Sequence, residues 1–217
     1  MNAKEMAEGF KRINELAMKA LSAGEHQEAI AIFKEGLILE EKLGLQTQMA
    51  QSYANIGNAY LSVGELAEAQ RHIEKAQKIF QKTANTEGVI SALLTIATIR
   101  QANGDEADAQ KQLDDALRMT RNGEQRGMVL YRIACHKQQT GSNYQAQEAY
   151  SRALLEMERL NRPSDILFCL LARASLFKQM DRQVLATRDI ARAKSLALSH
   201  EKLMERFINA VAELGLE

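Results

Sequence analysis

Tyr53-Ala-Asn-Ile-Gly-Asn-Ala-Tyr60, Leu61-Ser-Val-Gly64 and Glu65-Leu-Ala-Glu-Ala69, followed by Ile73 and Ala76, form one stretch in which two helical patterns meet at a glycine. Apolar and small residues recur at helical spacing on both sides of Gly64, with no strand-type alternation. The arrangement returns along the chain. Turn glycines stand at Gly24, Gly64, Gly104 and Gly141, spaced by 40, 40 and 37 residues, and another 40 reaches Asp181. Seven residues before each turn stand Ala17, Gly57, Ala97, Ala134 and Ala174. Five after it stand Ala29, Ala69, Ala109, Ala146 and Ala186, and twelve after it Gly36, Ala76, Ala116, Ala153 and Ala193. All fifteen are glycine or alanine.

Antiparallel helices approach closely only where a side chain is small, and larger residues fill the space between such points. The larger residues form columns too. Eleven before the turn come Ile13, Tyr53, Leu93, Leu130 and Leu170, and nine after it Phe33, Ile73, Leu113, Tyr150 and Ile190. The columns predict five helical hairpins, with first helices near 3–22, 46–63, 87–103, 124–140 and 164–180. Second helices are expected near 25–43, 65–82, 105–121, 143–160 and 182–198. Gly44, Asn122-Gly123 and Asn161-Arg162-Pro163 supply the breaks between hairpins. A last helix over 200–215 carries Leu203, Phe207, Ile208, Val211 and Leu214 on one face, as a cap for the end of a stack would.

These residues resemble the tetratricopeptide-repeat (TPR) consensus. A typical unit is about 34 residues, so the spacing here is similar to the long-repeat group of LGN/Pins, kinesin light chains and bacterial Rap-type peptide sensors. The resemblance implies an all-α, right-handed solenoid of five hairpins, about 9–43, 49–84, 89–122, 126–161 and 166–199, with residues 200–217 as a C-terminal capping helix. It also implies a non-catalytic module that holds a peptide or helix of a partner protein in a concave groove.

Bulk composition agrees with a soluble helical protein and excludes several other classes. In 217 residues there is one proline and no tryptophan, and Lys+Arg 28 balances Asp+Glu 28. Net charge therefore implies neither nucleic acid nor an anionic membrane as partner. No apolar stretch reaches the ~20 residues that span a bilayer, and the charged start of the chain is no signal peptide. Two scattered cysteines, Cys135 and Cys169, make no disulfide framework and suit the cytoplasm.

No motif for catalysis, metal or cofactor stands out. The four histidines, His26, His72, His136 and His200, form no metal-type pair. Cys135 and His136 are adjacent and so point about 100° apart on a helix, and Asp114-Asp115 reads as a solvated face. The expectation is no enzyme, no metal and no cofactor.

In the TPR family the first helices line the groove. Carried over unit by unit, the groove positions are Asn14, Met18 and Leu21; Asn55, Asn58 and Leu61; Leu94, Thr95, Thr98 and Gln101; Met128, Tyr131, Arg132, Cys135 and Gln138; and Phe168, Leu171, Ser175 and Lys178. Asn55 and Asn58 are the leading candidates, because side-chain amides offer donors and acceptors to a peptide main chain. The later first helices lack acids within 88–103, 125–140 and 166–180 but carry Arg100, Arg126, Arg132, Lys137, Arg173 and Lys178. A mildly positive wall and an acidic ligand segment follow as expectations. The chaperone-type carboxylate clamp matches only at Asn58 and Arg132 among the positions Ala54, Asn58, Thr95, Met128 and Arg132. A Rap-like peptide sensor and a self-associating scaffold are the alternative functions.

Overall fold

The computed structural model describes residues 3–216. Among them lie eleven α-helices and no strand. In chain order these are α1 Ala3–Ser22, α2 His26–Leu43, α3 Gln46–Ser62, α4 Leu66–Lys82, α5 Thr86–Ala102, α6 Glu106–Met119, α7 Gly123–Gln139, α8 Asn143–Arg159, α9 Pro163–Gln179, α10 Gln183–Leu198 and α11 Glu201–Glu213. They fall into two compact units, one up to Ala116 and one from Leu117.

In the first unit α1 packs on α2, α2 on α3, α3 on α4, and α5 on α4 and α3. One cluster joins Ala69 and Ile73 of α4 to Ala92, Ile96 and Ile99 of α5, with Ala54, Tyr60 and Leu61 of α3 against it. In the second unit α7 packs on α8, α9 on α8 and α7, α10 on α9, and α11 on α10 and α9. All fifteen small positions of the repeat are buried. Gly57 shows why they must be small: a Cβ there would sit 2.7 Å from Cγ1 and Cδ1 of Ile73. That is inside van der Waals contact, so even alanine forces the facing helix to move.

The hairpin turns share one geometry. The Gly64 amide bonds to the Leu61 carbonyl at 3.1 Å and the Glu65 amide to the Tyr60 carbonyl at 2.9 Å, with Gly64 at φ +82°. This double bond closes a helix by stepping one residue into the left-handed region, where glycine is unstrained. The fifth turn uses Asp181 at φ +56°, and two connections between hairpins use Ala84 and Asn161 at φ +54° and +49°. The 37-residue spacing also has a local cause. Helix α6 has 14 residues where α4 and α8 have 17, and the chain restarts at Asn122, whose Oδ1 caps the Gln125 amide at 2.9 Å.

Helix α11 takes the place of a sixth first helix. It buries Leu203, Phe207 and Ala210, and Gly215 at φ +59° closes it with the same pair of bonds, Gly215 amide to Ala212 and Leu216 amide to Val211. One station breaks the pattern. Ile208, seven residues before Gly215, is large and 58% exposed, where every preceding hairpin has a buried glycine or alanine.

Two polar residues are sealed into the packing. His72 lies between the rings of Tyr53 and Tyr60, at centroid distances of 5.8 and 5.5 Å, and its buried Nδ1 has no partner. Burial, then the nearby Arg71 and Lys75 charges, pull its pKa down to about 4. Asp189 of α10 is held by Arg173 of α9 through two bonds, Nε to Oδ2 at 2.7 Å and Nη2 to Oδ1 at 2.9 Å. Arg173 also donates to Ser151 Oγ at 3.0 Å. Arg173 and Asp189 thus form a structural ion pair within one hairpin.

Candidate functional site

The helix period brings side chains 13, 10, 6 and 3 residues before each turn onto one flank of a first helix. In each unit this flank lines a recess between two successive first helices.

In the unit up to Ala116 the recess lies between α3 and α5, has a volume of about 340 Å³, and is lined chiefly by Gln51, Ala54 and Asn58 of α3 and Glu87, Gly88 and Ser91 of α5. Thr95 Oγ1 donates to Asn58 Oδ1 at 3.2 Å across the two helices. Gln51 Nε2 donates to Asn55 Oδ1 at 3.1 Å along α3. Of the two leading asparagines, Asn58 lines the recess, while Asn55 supports Gln51 beside it.

In the unit from Leu117 the recess lies between α7 and α9, again about 340 Å³. Tyr131, Cys135 and Gln138 line it from α7, Ser175 and Gln179 from α9, and Leu214 stands at its edge. Gln138 Nε2 donates to Gln179 Oε1 at 3.0 Å, and the Tyr150 hydroxyl donates to Gln138 Oε1 at 2.9 Å with Cys135 Sγ 3.4 Å away. The rings of Tyr131 and Tyr150 meet edge to face at 5.8 Å. Burial, reinforced by Cys135, pushes both phenols well above their usual range, so they stay protonated. The wall is one of amides and hydroxyls, a lining suited to the polar main chain of a peptide.

The predicted positions divide. Asn58, Tyr131, Gln138 and Ser175 line the recesses. Thr98 and Gln101 are half-buried on α5, with Thr98 Oγ1 bonded to the Leu94 carbonyl at 3.1 Å, and Arg132 is half-buried on α7. Asn14 and Met18 are exposed on α1, apart from both recesses. Two positions need correction. Leu94 is 7% exposed and Leu171 wholly buried, so neither presents a surface to a ligand. Both stand ten residues before the turn, on the flank where a first helix meets its neighbours, and α9 touches α7 and α11. Gln51, Ser91 and Gln179 were missed. Gln179 stands two residues before the turn, a station the family pattern carried over did not include, and Gln51 and Ser91 stand thirteen before it, a station that pattern carried only in the later helices, at Met128 and Phe168.

The positive wall is altered by local pairing. Arg100 reaches Asp105 at 3.4 Å, Arg126 reaches Glu156 at 3.8 Å, and Arg173 is bound to Asp189. Lys178 Nζ donates to the Gly215 carbonyl at 2.8 Å, at the negative end of α11. A turn acid, two acids of second helices and a helix terminus therefore answer Arg100, Arg126, Arg173 and Lys178.

The family profile for the tetratricopeptide repeat matches residues 47–122. The fold is the tetratricopeptide-repeat fold. No curated protein sequence matches this repeat chain. Solved structures share its fold. Aspartyl phosphate phosphatase F from Bacillus subtilis superposes with a TM-score of 0.78 at 15% identity, covering 91% of this chain and 53% of that one. The Rap conjugation gene regulator of plasmid pLS20, solved with the Phr* peptide, gives 0.74 at 16% identity, covering 93% and 57%. BtubC (BKLC) from P. vanneervenii gives 0.73 at 18% identity, covering 88% and 80%. The repeat chain thus spans little more than half the length of the first two of these proteins. Among its described residues no cluster of three His, Cys, Asp or Glu could hold a metal, and no helix is long and apolar enough to cross a membrane.

Proposed function

We infer that this chain is a non-catalytic protein-interaction module that receives a peptide or helical segment of a partner on the inner flank of its first helices. The observation that carries the reading is that each unit has a solvent-open recess with side-chain amides in its lining between two successive first helices, α3 and α5 in one and α7 and α9 in the other. Amides already oriented by neighbours, Asn58 by Thr95 and Gln138 by Gln179, meet a ligand main chain at lower conformational cost than free ones. A cytoplasmic setting is part of the proposal, and the unpaired thiols Cys135 and Cys169 suit a reducing compartment. A peptide-sensing regulator is the second reading, favoured by the likeness in fold to a Rap protein solved with a Phr* peptide.

Site-specific photo-crosslinking in the native cell tests it. A photoreactive residue at Ser91 or Gln179 should give discrete partner adducts, and one at the outward Glu148 or Arg152 of α8 should not. Adducts confined to α8 would reject recognition by the inner flank.

A further inference from the structure

Thirteen residues before the turn, successive first helices carry Gln51, Ser91, Met128 and Phe168, and all four are exposed. In the unit up to Ala116 the station is polar. In the unit from Leu117 it is apolar, with Met128 42% and Phe168 39% exposed. At one station of two successive first helices, they offer apolar area for a ligand to bury. Met128 also lines a second recess of about 140 Å³, with Met157 and Leu160 as its other large apolar residues and Glu124, Arg162 and Asp165 as its charged ones.

The charges around this recess cancel in pairs. Arg162 is bound to Glu124 and, at 3.0 Å, to Asp165, and Arg126 and Arg159 lie 3.8 and 3.9 Å from Glu156. No net field selects an acidic or basic residue there, and the apolar lining favours a side chain that loses water easily. Along α7, Met128 precedes Cys135 and Gln138 by seven and ten residues, a rise of about 10–15 Å. The apolar recess and the amide recess are thus two subsites on one helix flank.

We propose that the α7–α9 flank binds an uncharged partner segment whose leucine, methionine or phenylalanine side chain packs against Met128 and Phe168 while its main chain bonds to Gln138 and Gln179. This rests on the protein-interaction reading and replaces the acidic ligand with a neutral, apolar-anchored one.

A phage-displayed random dodecapeptide library selected on the full chain tests it. Enriched peptides should be near neutral and share one Leu, Met or Phe position. The best of them, made synthetically, should bind the exposed-site variants Met128→Asp and Phe168→Asp about tenfold or more weakly, the effect of spoiling an apolar pocket. Circular dichroism should show both variants as helical as the parent. Acidic peptides that lose affinity on Gln138→Ala but not on Met128→Asp would overturn the apolar anchor and leave inner-flank recognition standing. Enriched peptides indifferent to all of these substitutions would reject inner-flank recognition in this unit, and a selection with no enrichment would reject short-peptide recognition and this refinement with it.

Discussion

Arg173→Met should be among the most damaging single changes in the second unit. The methionine keeps much of the apolar bulk of the arginine stem but removes the guanidinium that grips both oxygens of Asp189 at 2.7 and 2.9 Å. The Asp189 side chain is 2% exposed, so water cannot replace what is lost. Breaking one partner of a buried pair leaves an uncompensated charge and costs about 3–5 kcal/mol. Replacing both by apolar groups removes charge and partner together, so Arg173→Met with Asp189→Leu should recover most of that loss. Urea unfolding followed by far-ultraviolet circular dichroism reads the effect as a lower midpoint with an unchanged slope. A loss under about 1 kcal/mol for the single variant, or a double variant as unstable as the sum of the singles, would refute the buried-pair reasoning.

Three further outcomes follow from local geometry. Gly57→Ala should destabilise by about 1–3 kcal/mol through overpacking against Ile73, although alanine is the better helix former, and thermal melts of the two proteins decide it. Ala84→Gly should stabilise by about 1 kcal/mol, because Ala84 sits at φ +54° where a Cβ is strained, and a higher urea midpoint is the readout. For His72 the folded pKa of about 4 lies below its ordinary 6.5, so the unfolded chain binds the proton more readily. Its contribution to stability is therefore full above pH 6.5 and is lost as pH falls from 6.5 towards 4. A His72→Phe protein should show a flatter stability profile over that window, and an unchanged slope would show that other groups dominate.

The hairpins were legible because close packing repeats one demand at fixed intervals, and Ala17 and Ala174 answer it alike though they stand at opposite ends of the repeat. The sequence pattern extends α6 too far, since a helix that ends two residues early leaves its apolar columns intact. The binding flank was only half legible. Register says which way Leu171 points but not that α7 and α11 stand on either side of its helix. It says that Arg173 and Lys178 are bases but not that Asp189 and the Gly215 carbonyl lie waiting for them. Gln179 was missed for a related reason: its importance comes from Gln138, 41 residues away and a neighbour only after folding.

Ile208 gives the series its punctuation. A helical repeat can grow by copying a unit, because each hairpin offers its successor the surface its predecessor offered it, and nothing in such a scheme says where to stop. On α11 the shallow notch that would seat another second helix is filled by a branched side chain. Whatever follows Gly215, a helix laid there would ride higher than any before it and meet α11 out of step. Trimming Ile208 to alanine would restore on α11 the small station that Ala17, Gly57, Ala97, Ala134 and Ala174 hold on the earlier first helices.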